Sequence, residues 1–208
     1  ESSYHDSEEE GTSQISVRAA DGSYASLTTT LHQHFGSGII VDGYFLNNSL
    51  RNFTVGAGPG QPNGRQAGIA PRTAMAPLLI FRGDRPVAAL GSPGGVAIPS
   101  YNLKVVVALL DWGYSPDRAV RLLNFGALGR DRVYLGLPDP RADPGGASTA
   151  AQQAVQQELT SRGHPVTATA TTGDDSALSV VVDDVRDGRL RGAADPRAGG
   201  AVRGAGRY

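Results

Sequence analysis

Residues 8–17 read EEEGTSQISV: three glutamates, a glycine, a Thr-Ser pair and the start of an alternating run. Gln14, Ile15, Ser16 and Val17 alternate polar and apolar, the period-two pattern of a strand with two unlike faces. The run continues through RAADGSYASLTTTL, so Ala20-Asp21-Gly22 reads as the turn of a hairpin. Gly11 and Thr12 therefore stand at the threshold of the first strand. Two readings of that pair compete. One is a solvated acidic tail ending at an ordinary turn. The other is a self-cleaving bond that leaves Thr12 as a nucleophile.

Composition narrows the field. The chain has 208 residues, enough for one domain with a sizeable core. It opens on Glu rather than Met, which reads as a fragment, a processed product or a trimmed chain. The formal charge is −1, so no basic surplus points to nucleic acid or an anionic membrane. Cysteine is absent, which excludes disulfides, thiolate metal sites and Cys nucleophiles and leaves the compartment open. No apolar run approaches the roughly 20 residues of a membrane span.

Residues 1–11 read as a flexible acidic tail. SGIIVDGYFLNNSL (residues 37–50) reads as a second strand-like region. Residues 52–71 form a Gly/Pro/Asn-rich loop, long enough to suggest a lid or binding loop. MAPLLIFRGDRPVAALGSPGG gives a second hairpin turning at Gly83-Asp84-Arg85-Pro86. Residues 98–112 form the best helix candidate, with Leu103, Val106, Val107 and Leu110 at helical spacing. Ser115-Pro116-Asp117 starts a short helix, Ser as N-cap and Pro at the first helical position. PDPRADPGG reads as a surface loop, residues 148–162 as a polar helix ended by Gly163. VTATATT and ALSVVVDDV read as strands, and residues 199–208 as a flexible tail. Hairpins and a block of helices predict an α+β fold, with an antiparallel sheet covered by helices.

At TSQISV, LNNSLRNF, TAMAP, GSPGG and ADPR the chain resembles the small subunit of gamma-glutamyltransferases, also called gamma-glutamyltranspeptidases. The motifs keep the family's order across residues 12–198. The resemblance implies the αββα sandwich of N-terminal-nucleophile hydrolases and a precursor that cuts itself into a large and a small subunit. The chemistry it implies is coherent. A Thr hydroxyl needs a base, and a free α-amino group, titrating near ~8, supplies one on the same residue. Gly11-Thr12 is then the processing bond, with Gly11 tolerating a strained backbone. Residues 1–11 would leave on cutting.

The remaining positions follow from the same resemblance. Thr30 supports the nucleophile's hydroxyl, although a β-branched strand residue explains Thr28, Thr29 and Thr30 alike. Gly94 and Gly95 match the oxyanion hole, against the plainer reading of a tight turn. The positions that hold the substrate's α-amino group fall at His32, Ser49 and Asn52, where the family has Asn, Gln and an acid. Asn52 supplies no negative charge, and the cation Arg51 sits beside it. The family's Ser-Ser pair for the α-carboxylate is here Thr73-Ala74. Catalytic parts are kept while the head pocket changes. His32 and His34, two apart on a strand, would face the same way, but no third ligand is near and no metal or cofactor is expected. Arg197 reads as a structural ion-pair residue.

Three functions follow. The first is a self-processing Thr-nucleophile hydrolase or acyltransferase on an altered acyl group, such as a glutaryl chain. The second is a carbon–carbon bond hydrolase removing a keto-acid unit, as in homologues from alkyl-proline antibiotic pathways of the lincomycin and anthramycin type; the Gly-, Ala- and Arg-rich composition suits an actinomycete. The third is a degenerate scaffold. The expected partners are a large subunit from the same precursor and a small-molecule substrate, with no nucleic acid and no membrane. A biosynthetic enzyme would be cytoplasmic and a glutathione-type hydrolase secreted.

Overall fold

The computed structural model describes residues 11–127, 133–136, 147–168, 176–184 and 187–204. The expectations for residues 1–10, 138–146, 169–172 and 205–208 lie outside the described residues. Two compact units emerge: residues 29–74 with the segment up to residue 13, and residues 14–28 with residue 75 onward.

The elements in chain order are β1 (Thr12–Arg18), β2 (Tyr24–Thr30), β3 (Ile40–Val41), β4 (Tyr44–Phe45), β5 (Leu78–Arg82), β6 (Arg85–Gly91), α1 (Ile98–Leu110), α2 (Pro116–Arg121), β7 (Phe125–Gly126), β8 (Val133–Leu135), α3 (Ala147–Ser161), β9 (Val166–Ala168), β10 (Ser179–Asp183) and β11 (Leu190–Ala194). In the first unit, residues 37–50 are not one strand. They form a small hairpin, β3 pairing antiparallel with β4. Asp42 and Gly43 both have positive φ (49° and 85°), the two-residue Asp-Gly turn that matches strand twist.

The second unit holds the main sheet, order β11-β10-β6-β5, antiparallel throughout. β6 is central and buried from Val87 onward. The core joins Leu90 of β6 and Val180 of β10 to Tyr101, Val105, Ala108 and Leu109 of α1 and Val120 of α2. Helix α1 lies where its spacing predicts, but its buried face differs. Leu103 is 61% exposed and Leu110 is also outward. The helix is apolar on more than one side, so spacing alone does not choose the face. Lys104 goes inside instead, donating from Nζ to the Leu122 carbonyl (2.9 Å) and Asn124 Oδ1 (2.7 Å). Ser115 caps α2, accepting from the Arg118 N–H at 3.3 Å.

The purely antiparallel expectation fails at one place. β8 and β9 pair in parallel, with α3 between them in sequence; parallel neighbours need such a long connection. Among the described residues no helix is long and apolar enough to cross a membrane.

The β1–β2 hairpin is inside-out. Its inward residues are polar: Ser16 Oγ donates to the Ser179 carbonyl (2.9 Å) and Ser26 Oγ to the Leu90 carbonyl (2.8 Å). Its outward residues include Ile15, Val17 and Leu27, all exposed.

Arg197 is an ion-pair residue. Its Nη1 donates to Asp195 Oδ1 and to the Val120 carbonyl, each at 3.0 Å, and Nη2 to the Leu122 carbonyl at 2.8 Å. Asp195 also accepts from Ser176 Oγ at 2.6 Å. The Asp195 side chain is fully buried and that of Arg197 nearly so. Asp195→Ala is expected to cost about 3–5 kcal/mol, because it strips a buried guanidinium of its carboxylate. Urea unfolding of the variant measures it; a loss under about 0.5 kcal/mol, the range of an ordinary surface change, would refute the structural role.

Candidate active site

In the first unit, Thr12 sits half-buried at the first position of β1, directly after Gly11. Gly11 has φ +117°, a conformation that side-chain-bearing residues avoid. The Thr12 hydroxyl donates from Oγ1 to Thr30 Oγ1 at 2.9 Å. Its own oxygen thus keeps both lone pairs. Of the three threonines that end β2, only the one at the last position makes this bond. Thr28 instead donates to Gln14 Oε1.

Thr30 Oγ1 also accepts the backbone N–H of His32 at 2.8 Å. This bond belongs to a sharp exit from the strand, since His32 has φ +74°. The strand ends at Thr30, so His32 and His34 do not face the same way. His32 is 1% exposed and His34 is outward. Chain reversal at the first histidine overturns the strand-based expectation.

His32 Nε2 lies 2.8 Å from Asn52 Oδ1. With Oδ1 accepting, the ring carries its proton on Nε2 and Nδ1 is an acceptor. Nδ1 is buried and has no hydrogen-bond partner among the described residues. Asn52 closes the 3-10 turn Ser49–Asn52. Its carbonyl accepts from Asn63 Nδ2 at 2.7 Å, which ties the long loop to the turn. These bonds link Thr12, Thr30, His32, Asn52 and Asn63 through backbone and side-chain groups in turn. Asn63 is a member that the sequence reading missed; its positive φ of 51° is invisible without coordinates.

The other head positions lie in the same unit. Ser49 is half-buried at the start of the same turn and its N–H donates to Asn47 Oδ1 at 3.0 Å. Thr73 and Ala74 lie in the extended segment before β5, the first exposed and the second half-buried.

Gly94 and Gly95 belong to the second unit, in the turn after β6. Their φ values are +127° and +53°. A 3-10 turn, Gly95–Ala97, leads from them into α1. No acceptor among the described residues takes up the N–H of either glycine. Two unpaired amides at the entry of a 13-residue helix are donors suited to an anionic oxygen. Ser92 braces the turn: its Oγ donates to the Pro93 carbonyl (2.6 Å) and accepts the Ala177 N–H (3.2 Å).

The gamma-glutamyltranspeptidase family model matches residues 1–205. The chain belongs to the gamma-glutamyltranspeptidase family. It is 31% identical over 195 residues to the glutathione hydrolase proenzyme of Bacillus subtilis (strain 168), covering 92% of this chain and 30% of that protein. It is equally 31% identical over 200 residues to the acylase ACY 1 proenzyme of Pseudomonas sp. (strain SE83), covering 91% of this chain and 31% of that one. The fold agrees with the crystal structure of a mutant Helicobacter pylori gamma-glutamyltranspeptidase. The TM-score is 0.69 at 22% identity, over 88% of this chain and 98% of that chain. The fold is thus α+β, the small-subunit part of the N-terminal-nucleophile hydrolase sandwich. The chain spans less than a third of the length of the curated relatives it matches.

Proposed function

We propose that the Gly11-Thr12 bond is the processing site, and that freed Thr12 is the nucleophile of an amide hydrolase or acyltransferase whose substrate lacks the glutamyl ammonium. The hydrogen bond from Thr12 to Thr30 carries the first half of this reading. It orients the hydroxyl and leaves the lone pairs for attack. Gly94 and Gly95 would then supply the oxyanion donors, which is how their unpaired amides are best used.

The reaction runs as follows. Thr12 Oγ1 attacks the Gly11 carbonyl, the peptide becomes an ester, and water cleaves it. The new α-amino group takes the hydroxyl proton in each later turnover. An acyl-Thr12 ester forms as the amine leaves, and water or an amine acceptor resolves it.

The His32–Asn52 pair carries the second half. With Asn52 Oδ1 already engaged by His32, the side-chain groups of the amide without a hydrogen bond among the described residues are its Nδ2 N–H donors. An acidic residue there would accept from an ammonium; Asn52 in this state invites an acceptor, such as a carboxylate or carbonyl. One of the relatives is named an acylase, which agrees with acyl-transfer chemistry. The outward apolar face of the β1–β2 hairpin, Ile15, Val17 and Leu27, supports a covering large subunit from the same precursor.

The test is to express the full precursor and find the cut by mass spectrometry. Cleavage before Thr12, with faster release from a glutaryl anilide than from a γ-glutamyl anilide, is the expected result. Rapid γ-glutamyl turnover would refute the changed pocket. Intact processing with neither anilide cleaved would move the reading to a ketone substrate and carbon–carbon cleavage. Failure to process would favour the scaffold.

Asn52→Asp is expected to shift the preference back. A charge-assisted contact to an ammonium is worth about 1.5–3 kcal/mol, so kcat/KM for the γ-glutamyl anilide should rise roughly 10- to 100-fold. An unchanged ratio of the two anilides would disconnect Asn52 from the substrate head.

A further inference from the structure

The second unit holds an apolar pit that the chemistry at Thr12 does not use. Its volume is about 160 Å³, and it opens between strands β5, β6 and β10 and the corner where α1 hands over to α2. Ala88, Leu109 and Val182 form its floor, all buried. Phe81 and Leu110 form its rim, both 54% exposed. The sequence accounts for the space. At the middle of β6, Ala88 offers only a methyl group. The chain leaves α1 through Gly113, which has no side chain and a φ of +62°. Beside Ala88, the pairing of β5 with β6 slips between Ile80 and Phe81, and such a bulge bends the strand.

We propose that this pit is a binding site for a small neutral aromatic molecule, one ring in size. The inference does not depend on the reading of Thr12. An apolar cavity of about 150 Å³, lined by aliphatic and aromatic side chains, stays dry and takes benzene. The pit here matches in volume and in lining. Its aromatic wall, Tyr114, is held in place: the Arg118 guanidinium carbon lies 3.6 Å from the ring centroid, the Trp112 ring 5.6 Å away, and the Tyr114 N–H donates to the Ala108 carbonyl at 2.9 Å. Two charged residues touch the pit, and neither makes it a site for an ion. The Asp184 carboxylate accepts from Arg191 Nε at 2.7 Å, which balances its charge. Arg82 is exposed to solvent. A charged guest would lose its water on the apolar floor and find no free partner there. Leu109 stands about 17 Å along α1 from Ile98, so the guest sits at the far end of the helix from the Gly94-Gly95 turn. It touches β5, β6, β10 and the α1–α2 corner together, and binding therefore stabilises the folded unit.

Toluene titrated into the full precursor tests this, with benzoate as the same ring carrying a negative charge. Calorimetry should show saturable binding at one site, and the melting temperature should rise with toluene concentration. Benzoate should bind at least about ten-fold more weakly. Toluene should move the methyl NMR signals of Leu109 and Val182 and leave those of Leu103, which is 61% exposed on the same helix, in place. Ala88→Leu pushes an isobutyl group into the floor and should weaken toluene binding by about ten-fold or more. Leu103→Ala should leave it unchanged. Ala88→Val is the milder filling, used where the leucine variant does not fold; circular dichroism and melting report folding. No saturable binding, as when another part of the precursor already fills the pit, would overturn the site. So would benzoate binding as tightly as toluene, or undiminished toluene binding in a folded Ala88 variant.

Discussion

Thr12→Ala is expected to leave the precursor as one polypeptide and to abolish amide cleavage. Both losses have one cause. On the proposed reading, Oγ1 of Thr12 is the attacking atom in the cut and in the later chemistry, and the α-amino base exists only after the cut. Removing a nucleophile from a unit of this kind costs on the order of 10⁴–10⁶ in rate. The fold should survive, since Thr12 is half-buried at a strand end and its one side-chain bond is to Thr30. Thr12→Ser keeps the oxygen and loses a methyl group, so it should still cut, more slowly. Ser13→Ala removes the neighbouring hydroxyl, which points outward, and should change neither cutting nor turnover. A denaturing gel and intact mass read the processing; anilide release reads the activity. A Thr12→Ala precursor that still splits before residue 12 would place the nucleophile elsewhere.

Local patterns were legible in the sequence. Both long hairpins, the three helices and the Ser115 cap stand where period and turn chemistry put them, except that the second hairpin turns at Gly83-Asp84 alone, with Arg85 and Pro86 already paired in β6. Non-local choices were not. The face that α1 buries is decided by what lies against it, and Lys104 enters the core because Leu122 and Asn124 offer it acceptors. β8 and β11 are short or built from small residues, so they carry no alternation and exist through pairing alone. At the site, Thr12 and Thr30 could be named as positions. Their bond and the commitment of Asn52 Oδ1 could not, because they depend on residues 18 and 20 positions apart meeting in space, and nor could the positive φ of His32, which no residue type there announces. The engagement of the Asn52 oxygen by His32 matters most to the proposed reading.

Gly94→Ala is expected to lower stability and, on the oxyanion reading, turnover. Two costs combine in the fold. At φ +127° an L residue is strained, typically by about 1–3 kcal/mol. The added Cβ would also lie 2.3 Å from Cε2 of Tyr101. That ring is fully buried in the core with Leu90 and Val105, so it yields only by moving its neighbours, an overpacking cost of about 1–3 kcal/mol. A total of about 2–6 kcal/mol would lower the melting temperature by on the order of 10 °C. Turning the peptide to relieve the clash would swing the free N–H of Gly94, and losing one oxyanion donor costs roughly 10²–10³ in kcat. Tyr101→Leu separates the terms. In a double-mutant cycle, the shorter side chain should return about 1–2 kcal/mol of the Gly94→Ala penalty as coupling, since the two positions touch. The strain in φ remains in the double variant, and so should the kcat defect. Melting curves and single-turnover acylation of the folded fraction measure the two effects apart. A Gly94→Ala protein that melts with the wild type would mean that the turn relaxes freely. One that melts early yet acylates at the normal rate would keep the packing argument and remove Gly94 from the oxyanion hole.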